Sequence, residues 1–208
     1  MAVLASDDFN RADAATLGAN WENRQTAAAR YKIVSNRAAP TSYAADTCEF
    51  YIGVAFPVNH YSQCAVFGIL GTTNTNGLGP AVRVRTDNIG GGAAFLDMYE
   101  MCINVAVSNN VSLNRWVAGA FTNIAQRTQA FSDGDVARLE VSGTTLRMYR
   151  NGVQLGADVV DSNISVGAPG ICLVSAMTAG ALEDWEGGTL VAASDDPPMG
   201  FSGRGAGW

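Results

Sequence analysis

The sequence predicts an all-β fold, with two antiparallel sheets packed face to face as a sandwich. Three observations carry that expectation. Apolar and polar residues alternate with period two in several short runs; the runs are rich in β-branched and aromatic residues; and each run is bounded by Gly, Asn, Asp or Pro. Sustained helical periodicity is nearly absent.

In chain order, strands are expected over Tyr31-Lys32-Ile33-Val34, Thr47 to Ile52, Ser62 to Leu70, Pro80 to Arg85, Ala94 to Ala106, Val136 to Val141 and Thr145 to Tyr149. Asn76-Gly77, Asp87-Asn88 with Gly90-Gly91-Gly92, Ser142-Gly143 and Asn151-Gly152 mark turns, because Asn, Asp and Gly accept the positive φ that tight hairpins need. The clearest stretch runs from Asp133 to Val160. There Leu139 and Val141 share one strand face and Leu146 and Met148 share the next, while Arg138, Glu140, Arg147 and Arg150 mostly face the other way. Two successive hairpins with one core face and one wet face follow. Ala27 to Ala29 and Asn123 to Ala130 are each read as able to hold a helical turn, too short to organise the fold.

Composition narrows the function. Thirteen Lys plus Arg against nineteen Asp plus Glu give a net charge of −6. The basic residues are scattered singly, which lacks the electrostatic footprint of a nucleic-acid binder. Charged residues are 15% and hydrophobic residues 48% of the 208-residue chain, so a folded core is expected rather than global disorder. Neither a basic leader with an apolar run nor a stretch of ~18 apolar residues is present, so no secretion signal and no membrane helix are expected. Cys48, Cys64, Cys102 and Cys172 match neither a CxxC metal knuckle nor a dense disulfide framework; free buried thiols are expected, with a Cys48–Cys64 disulfide as the alternative.

The opening Asp7-Asp8-Phe9-Asn10-Arg11-Ala12-Asp13 with Leu17-Gly18-Ala19-Asn20-Trp21 resembles the start of concanavalin A-like (laminin-G-like) jelly-roll domains of bacteriophage and bacterial proteins. So do the meander from Gly134-Asp135 to Asn151-Gly152, and Gly167-Ala168-Pro169-Gly170-Ile171 followed by Asp184-Trp185-Glu186-Gly187-Gly188. The resemblance covers about residues 5 to 193. It implies an antiparallel jelly-roll β-sandwich over 1–193 (the concanavalin A-like lectin/glucanase fold), with the Phe9 and Trp185 segments neighbours on one sheet. Residues 194–208 are expected to form a short extended Pro/Gly-rich C-terminal arm.

This fold hosts lectins, glucanases, lyases and structural modules alike, so chemistry has to be sought residue by residue. Glucanases of the fold carry Glu, Asp and Glu at alternate positions of one strand. In Glu183-Asp184-Trp185-Glu186 the step of three is expected to put Glu183 and Glu186 on opposite faces. The single histidine, His60, beside Tyr61, is read as a surface-loop residue rather than half of a lyase pair, and no Gly-x-Ser-x-Gly accompanies it. No catalytic residue is assigned and the chain is expected not to be an enzyme. For sugar binding, Tyr61, Tyr99 (with Asn109-Asn110) and Trp116 are the candidate aromatic platforms; Trp21 is read as structural. Asp7, Asp8 and Asp184 are candidate oxygen ligands of a structural Ca²⁺, the alternative being hydrogen bonds within turns. Phe201 and Trp208 on the arm are candidate subunit contacts, against a simple frayed end.

The expectation is a non-enzymatic phage virion structural protein, an exterior head decoration or tail component assembled in the host cytoplasm. It would bind neighbouring virion subunits as a homo-oligomer, with glycan binding possible and no nucleic-acid or membrane partner. A carbohydrate-binding adhesin or lectin module is the alternative, and a divergent polysaccharide-cleaving enzyme comes third.

Overall fold

A computed structural model describes residues 1–23, 30–71, 77–85, 97–104, 109–174 and 177–190. Among these residues the chain forms strands β1 (Ala2–Asp7), β2 (Trp21–Asn23), β3 (Tyr31–Val34), β4 (Arg37–Pro40), β5 (Thr47–Tyr51), β6 (His60–Gly71), β7 (Gly77–Val84) and β8 (Met98–Asn104). They continue with β9 (Asn110–Val117), β10 (Ala120–Thr128), β11 (Val136–Ser142), β12 (Thr145–Arg150), β13 (Val153–Gln154), β14 (Val159–Val160), β15 (Ala168–Val174) and β16 (Met177–Thr189). A nine-stranded sheet runs β13-β12-β11-β6-β16-β4-β3, with β1 beside β16 and β14 beside β12; a seven-stranded sheet runs β10-β9-β8-β7-β15-β5-β2. Every pairing is antiparallel, as the alternation requires.

The ends of the domain close on each other: Asp7 pairs with Trp185 across β1 and β16. Their seam holds an aromatic cluster in which Trp21 meets Phe9 at 5.8 Å and Trp185 at 4.7 Å, and Trp185 stacks on Tyr51 at 5.1 Å. Trp21 is buried, and its Nε1 donates to Asp7 Oδ2 at 2.8 Å. In the meander, Leu139 pairs with Met148 and Val141 with Leu146, all four on the core side. Gly143, Asn151 and Gly152 take the positive φ that the turn sequences demand.

Two expectations are corrected. Residues 123–128 lie in β10, not in a helical turn. This strand is the edge of its sheet and buries little, so it needs no apolar alternation; its ladder with β9 overrides local propensity. Ala27 to Ala29 lie outside the described residues, as does the whole arm, including Phe201 and Trp208. The second correction concerns β16. Glu183 pairs with Ala65 and Glu186 with Gln63, so three residues of β16 span two of β6. Asp184, at φ 47°, is the extra residue of this bulge. The bulge resets the alternation, so Leu182 and Trp185 both point inward and Glu183 and Glu186 share the outer face.

Candidate functional site

One end of the sandwich carries two adjoining depressions that share Val166 and Gly167. The polar one, of about 350 Å³, is lined by Arg85, Asp97, Asn163 and Ser165; the apolar one, of about 490 Å³, by Tyr51, Ile52, Val54, Phe56 and Val58. Asn163 and Ser165 are exposed, as are Ile52, Val54, Val58 and Val166. Arg85 and Asp97 form an ion pair of 3.1 Å, and Asp97 also accepts the Ala118 N–H at 2.6 Å. Hydrogen-bonding groups and apolar surface therefore lie side by side, within a sugar's reach of each other.

Buried side chains fix the loops that form this groove. Arg83, 3% exposed, donates from Nη1 to the Ile164 carbonyl at 2.6 Å and from Nη2 to Gly143 O at 2.6 Å and Val58 O at 3.4 Å. One guanidinium fork thus ties three loops together. The fully buried Tyr99 donates its hydroxyl to Asp161 Oδ1 at 2.6 Å and accepts the Ile164 N–H at 3.0 Å, while Arg115 holds the same carboxylate at 2.5 Å. Asp161 in turn accepts the Asn163 backbone and side-chain N–H groups, each at 2.9 Å.

His60 opens β6 fully buried, which corrects its expected place in a surface loop. Its Nε2 accepts the Arg83 backbone N–H at 3.1 Å, so the ring proton sits on Nδ1 and bonds the Pro57 carbonyl at 2.7 Å. Burial, aided by the Arg83 charge, pushes its pKa from 6.5 down to about 4. A histidine depressed in the fold contributes stability that is full above its unfolded pKa of 6.5 and is lost as pH falls toward 4. The stability gap between wild type and His60→Gln is expected to shrink by about 3 kcal/mol over that window, measured by urea melts at several pH values. Glu49 and Glu100, both raised to about 7 mainly by burial, titrate in the opposite sense and cancel in the difference. A gap that stays constant would refute this assignment.

The three candidate platforms do not present their rings. Tyr61 is 4% exposed, with the Arg138 guanidinium over its face at 6.0 Å. Tyr99 is a support beneath the groove, as above. Trp116 is 7% exposed and spends its indole N–H on Glu100 Oε1 at 2.9 Å. An amphipathic ring whose polar tip finds an internal partner packs inward. The groove residues Asn163, Ser165 and Val166 carried no sequence signal, since exposed loop residues show no periodicity.

The candidate cation ligands separate. Asp7 takes Arg11 at 2.6 and 3.0 Å, Trp21 Nε1 and the Phe9 N–H, which leaves it committed to the fold. Asp8 and Asp184 do come together, lining a polar depression of about 250 Å³ with Asn10, Asn36 and Glu183. That set of oxygens suits a hard cation. None of the four cysteines forms a disulfide, and all four are buried, which sets aside the Cys48–Cys64 alternative.

No family model matches the chain, and no curated protein matches it. Solved structures do. The carbohydrate-binding module CBM66 from Bacillus subtilis superposes with a TM-score of 0.63 at 14% identity, over 82% of this chain and 96% of that one. A protein of unknown function with a galectin-like fold, also from Bacillus subtilis, gives 0.59 at 10% identity over 91% and 96%. The VIP36 exoplasmic/lumenal domain, in a Ca²⁺/Man3GlcNAc-bound form, gives 0.58 at 10% identity over 83% and 85%. The GH43 BlXynB protein from Bacillus licheniformis is also similar, at 0.62 and 8% identity, but there the chain spans only 39% of the enzyme. These likenesses establish the jelly-roll, lectin-like sandwich and carry no phage origin with them.

Proposed function

We propose that this chain is a carbohydrate-binding module that holds a glycan in the end groove without cleaving it. The observation that carries this reading is the pairing of Arg85, Asp97, Asn163 and Ser165 with the apolar wall from Ile52 to Val58, on loops locked by Arg83, Tyr99 and His60. Pre-set polar groups beside apolar surface let a sugar exchange water for protein contacts without an ordering cost. The solved structures that share the fold include a carbohydrate-binding module and a mannoside-bound lumenal domain, which supports the same reading. Binding rather than hydrolysis fits the acids present. Among the described lining residues Asp97 is the groove's one carboxylate and is ion-paired, while Glu183 is held by Arg37 and Glu186 by Gln63. Glycosidases need two carboxyls facing each other across the bond they break. The virion reading draws on the arm, which lies outside the described residues, and has no support from the structural neighbours.

A glycan array followed by calorimetry on the best ligand tests the proposal. Asn163→Ala with Ser165→Ala, and separately Val166→Asp, are expected to weaken binding at least tenfold, about 1.4 kcal/mol, with Tm unchanged in Val166→Asp, whose side chain is exposed, and only slightly lowered in the double variant, which loses the exposed Asn163 bond to Asp161. Unchanged affinity, or no glycan bound at all, would overturn it. Repeating the titration in Ca²⁺ and in chelator tests the cation at Asp8 and Asp184; no heat with Ca²⁺ and a melting point unmoved by chelator would remove it.

A further inference from the structure

On the seven-stranded sheet, residues alternate between the main core and a second buried cluster. Ile171 and Leu173 of β15 and Met101 and Ile103 of β8 face the core, whereas Cys172 and Cys102 face the other way with Cys48, Met98 and Trp116. β7 lies between β8 and β15, and its Gly79 pairs with Cys172. The register Leu78 to Ile103 and Ala81 to Glu100 places the same glycine opposite Cys102. Cys172 and Cys102 thus flank Gly79 in register from the two neighbouring strands, and the Cys172 thiol donates to the Gly79 carbonyl at 3.5 Å. Glu100, two residues before Cys102 on the same face, joins them.

The carboxylate oxygen and the two sulfurs all lie within 4.8 Å of one another, and all three residues are fully buried. Glu100 Oε1 is fixed by Trp116 Nε1 at 2.9 Å and Asn114 Nδ2 at 3.2 Å, both neutral donors, while Oε2 is buried without a hydrogen-bond partner. Ser112, opposite Cys102 on β9, likewise has a buried Oγ without a partner. Orphaned acceptors in a dry interior are costly and call for an explanation. A disulfide does not supply it. Cys102 and Cys172 stand two strand spacings apart, roughly 9–10 Å between Cα atoms, beyond the reach of about 7 Å.

We infer that Glu100, Cys102 and Cys172 form a zinc site that cross-links β8 to β15 over Gly79. Two sulfurs and one oxygen suit a borderline-soft cation, and neither calcium nor magnesium favours thiolates. The hydrogen bonds from Trp116 and Asn114 orient the carboxylate as outer partners of metal ligands do. Thiols and a carboxyl must give up their protons to ligate a metal, so binding displaces protons onto solvent. Ser112 Oγ and Cys48, which pairs with Cys172 on β5, are the neighbouring donors from which a fourth ligand can come.

The test uses the full chain, purified under reductant, stripped with chelator and titrated with Co²⁺ as a spectroscopic stand-in for Zn²⁺. The expected result is a thiolate-to-cobalt charge-transfer band that saturates at one equivalent, is bleached by Zn²⁺, and accompanies a zinc-dependent Tm rise of about 5–10 °C. Cys102→Ser and Cys172→Ser should each lose most of the band and Cys64→Ser should keep it, with circular dichroism checking the fold of each. Absence of the band in folded wild type would overturn the site, even if no variant folds. So would an equal band in the Cys102→Ser/Cys172→Ser double variant.

Discussion

Trp185→Ala is expected to destabilise the domain by about 3–5 kcal/mol, the range for deleting a fully buried large aromatic. Trp185 sits where β1, β2, β5 and β16 meet: it stacks on Tyr51, meets Trp21 edge-on, and donates Nε1 to Ser62 Oγ at 2.9 Å. Ser62 passes the contact to the other sheet through its own bond to the Gly170 carbonyl at 2.7 Å. Truncation therefore opens a cavity and leaves a buried hydroxyl short of a donor. Trp185→Phe keeps most of the volume and loses the hydrogen bond, so about 1–2 kcal/mol is expected. Denaturant melts of both variants check this; equal costs would show that the filled volume contributes nothing beyond the indole N–H, which both variants lose.

Arg83→Ala is expected to cost about 3 kcal/mol, with a Tm drop of roughly 6–12 °C for a domain of this size. The guanidinium satisfies carbonyls of Ile164, Gly143 and Val58, and a charge-assisted bond is worth about 1.5–3 kcal/mol where both groups are buried. Arg83→Lys should not restore stability, because a single ammonium cannot span the fork. Hydrogen exchange should quicken at residues 143 and 164 with the β11–β12 core protected as before. Slowed or unchanged exchange there would mean that the loops hold themselves. Since these loops wall the groove, glycan affinity should fall in Arg83→Ala although the side chain does not line it.

Much of this architecture was legible in the chain. Tyr31 to Val34 is β3 residue for residue, and the Leu139/Val141 and Leu146/Met148 faces pair as their alternation implies. The joined ends of the domain were implied by the resemblance of the Asp7 to Trp21 and Trp185 segments to concanavalin A-like domains, and Asp7 does pair with Trp185. What escaped has physical causes. β9 and β15 are buried on both faces and so show no alternation. The parity of Glu183 and Glu186 depended on one bulge residue, Asp184, whose positive φ is set by pairing with β6. His60 looked like a loop residue because its neighbours Pro57 and Asn59 are turn formers; its burial comes from Arg83, distant in sequence. The groove was invisible for the same reason: Arg85, Asp97 and Asn163 converge only once the sheets have formed.

An amide-resolved NMR titration with the best glycan from the array tests the groove most directly. Shifts that concentrate at Asn163, Ser165, Val166, Asp97 and the 52–58 loop, and vanish in Val166→Asp, are the expected result. Shifts centred elsewhere, on the exposed Phe121 and Asn123 of β10 or on the Asp8 and Asp184 depression, would contradict the end groove as the sugar site.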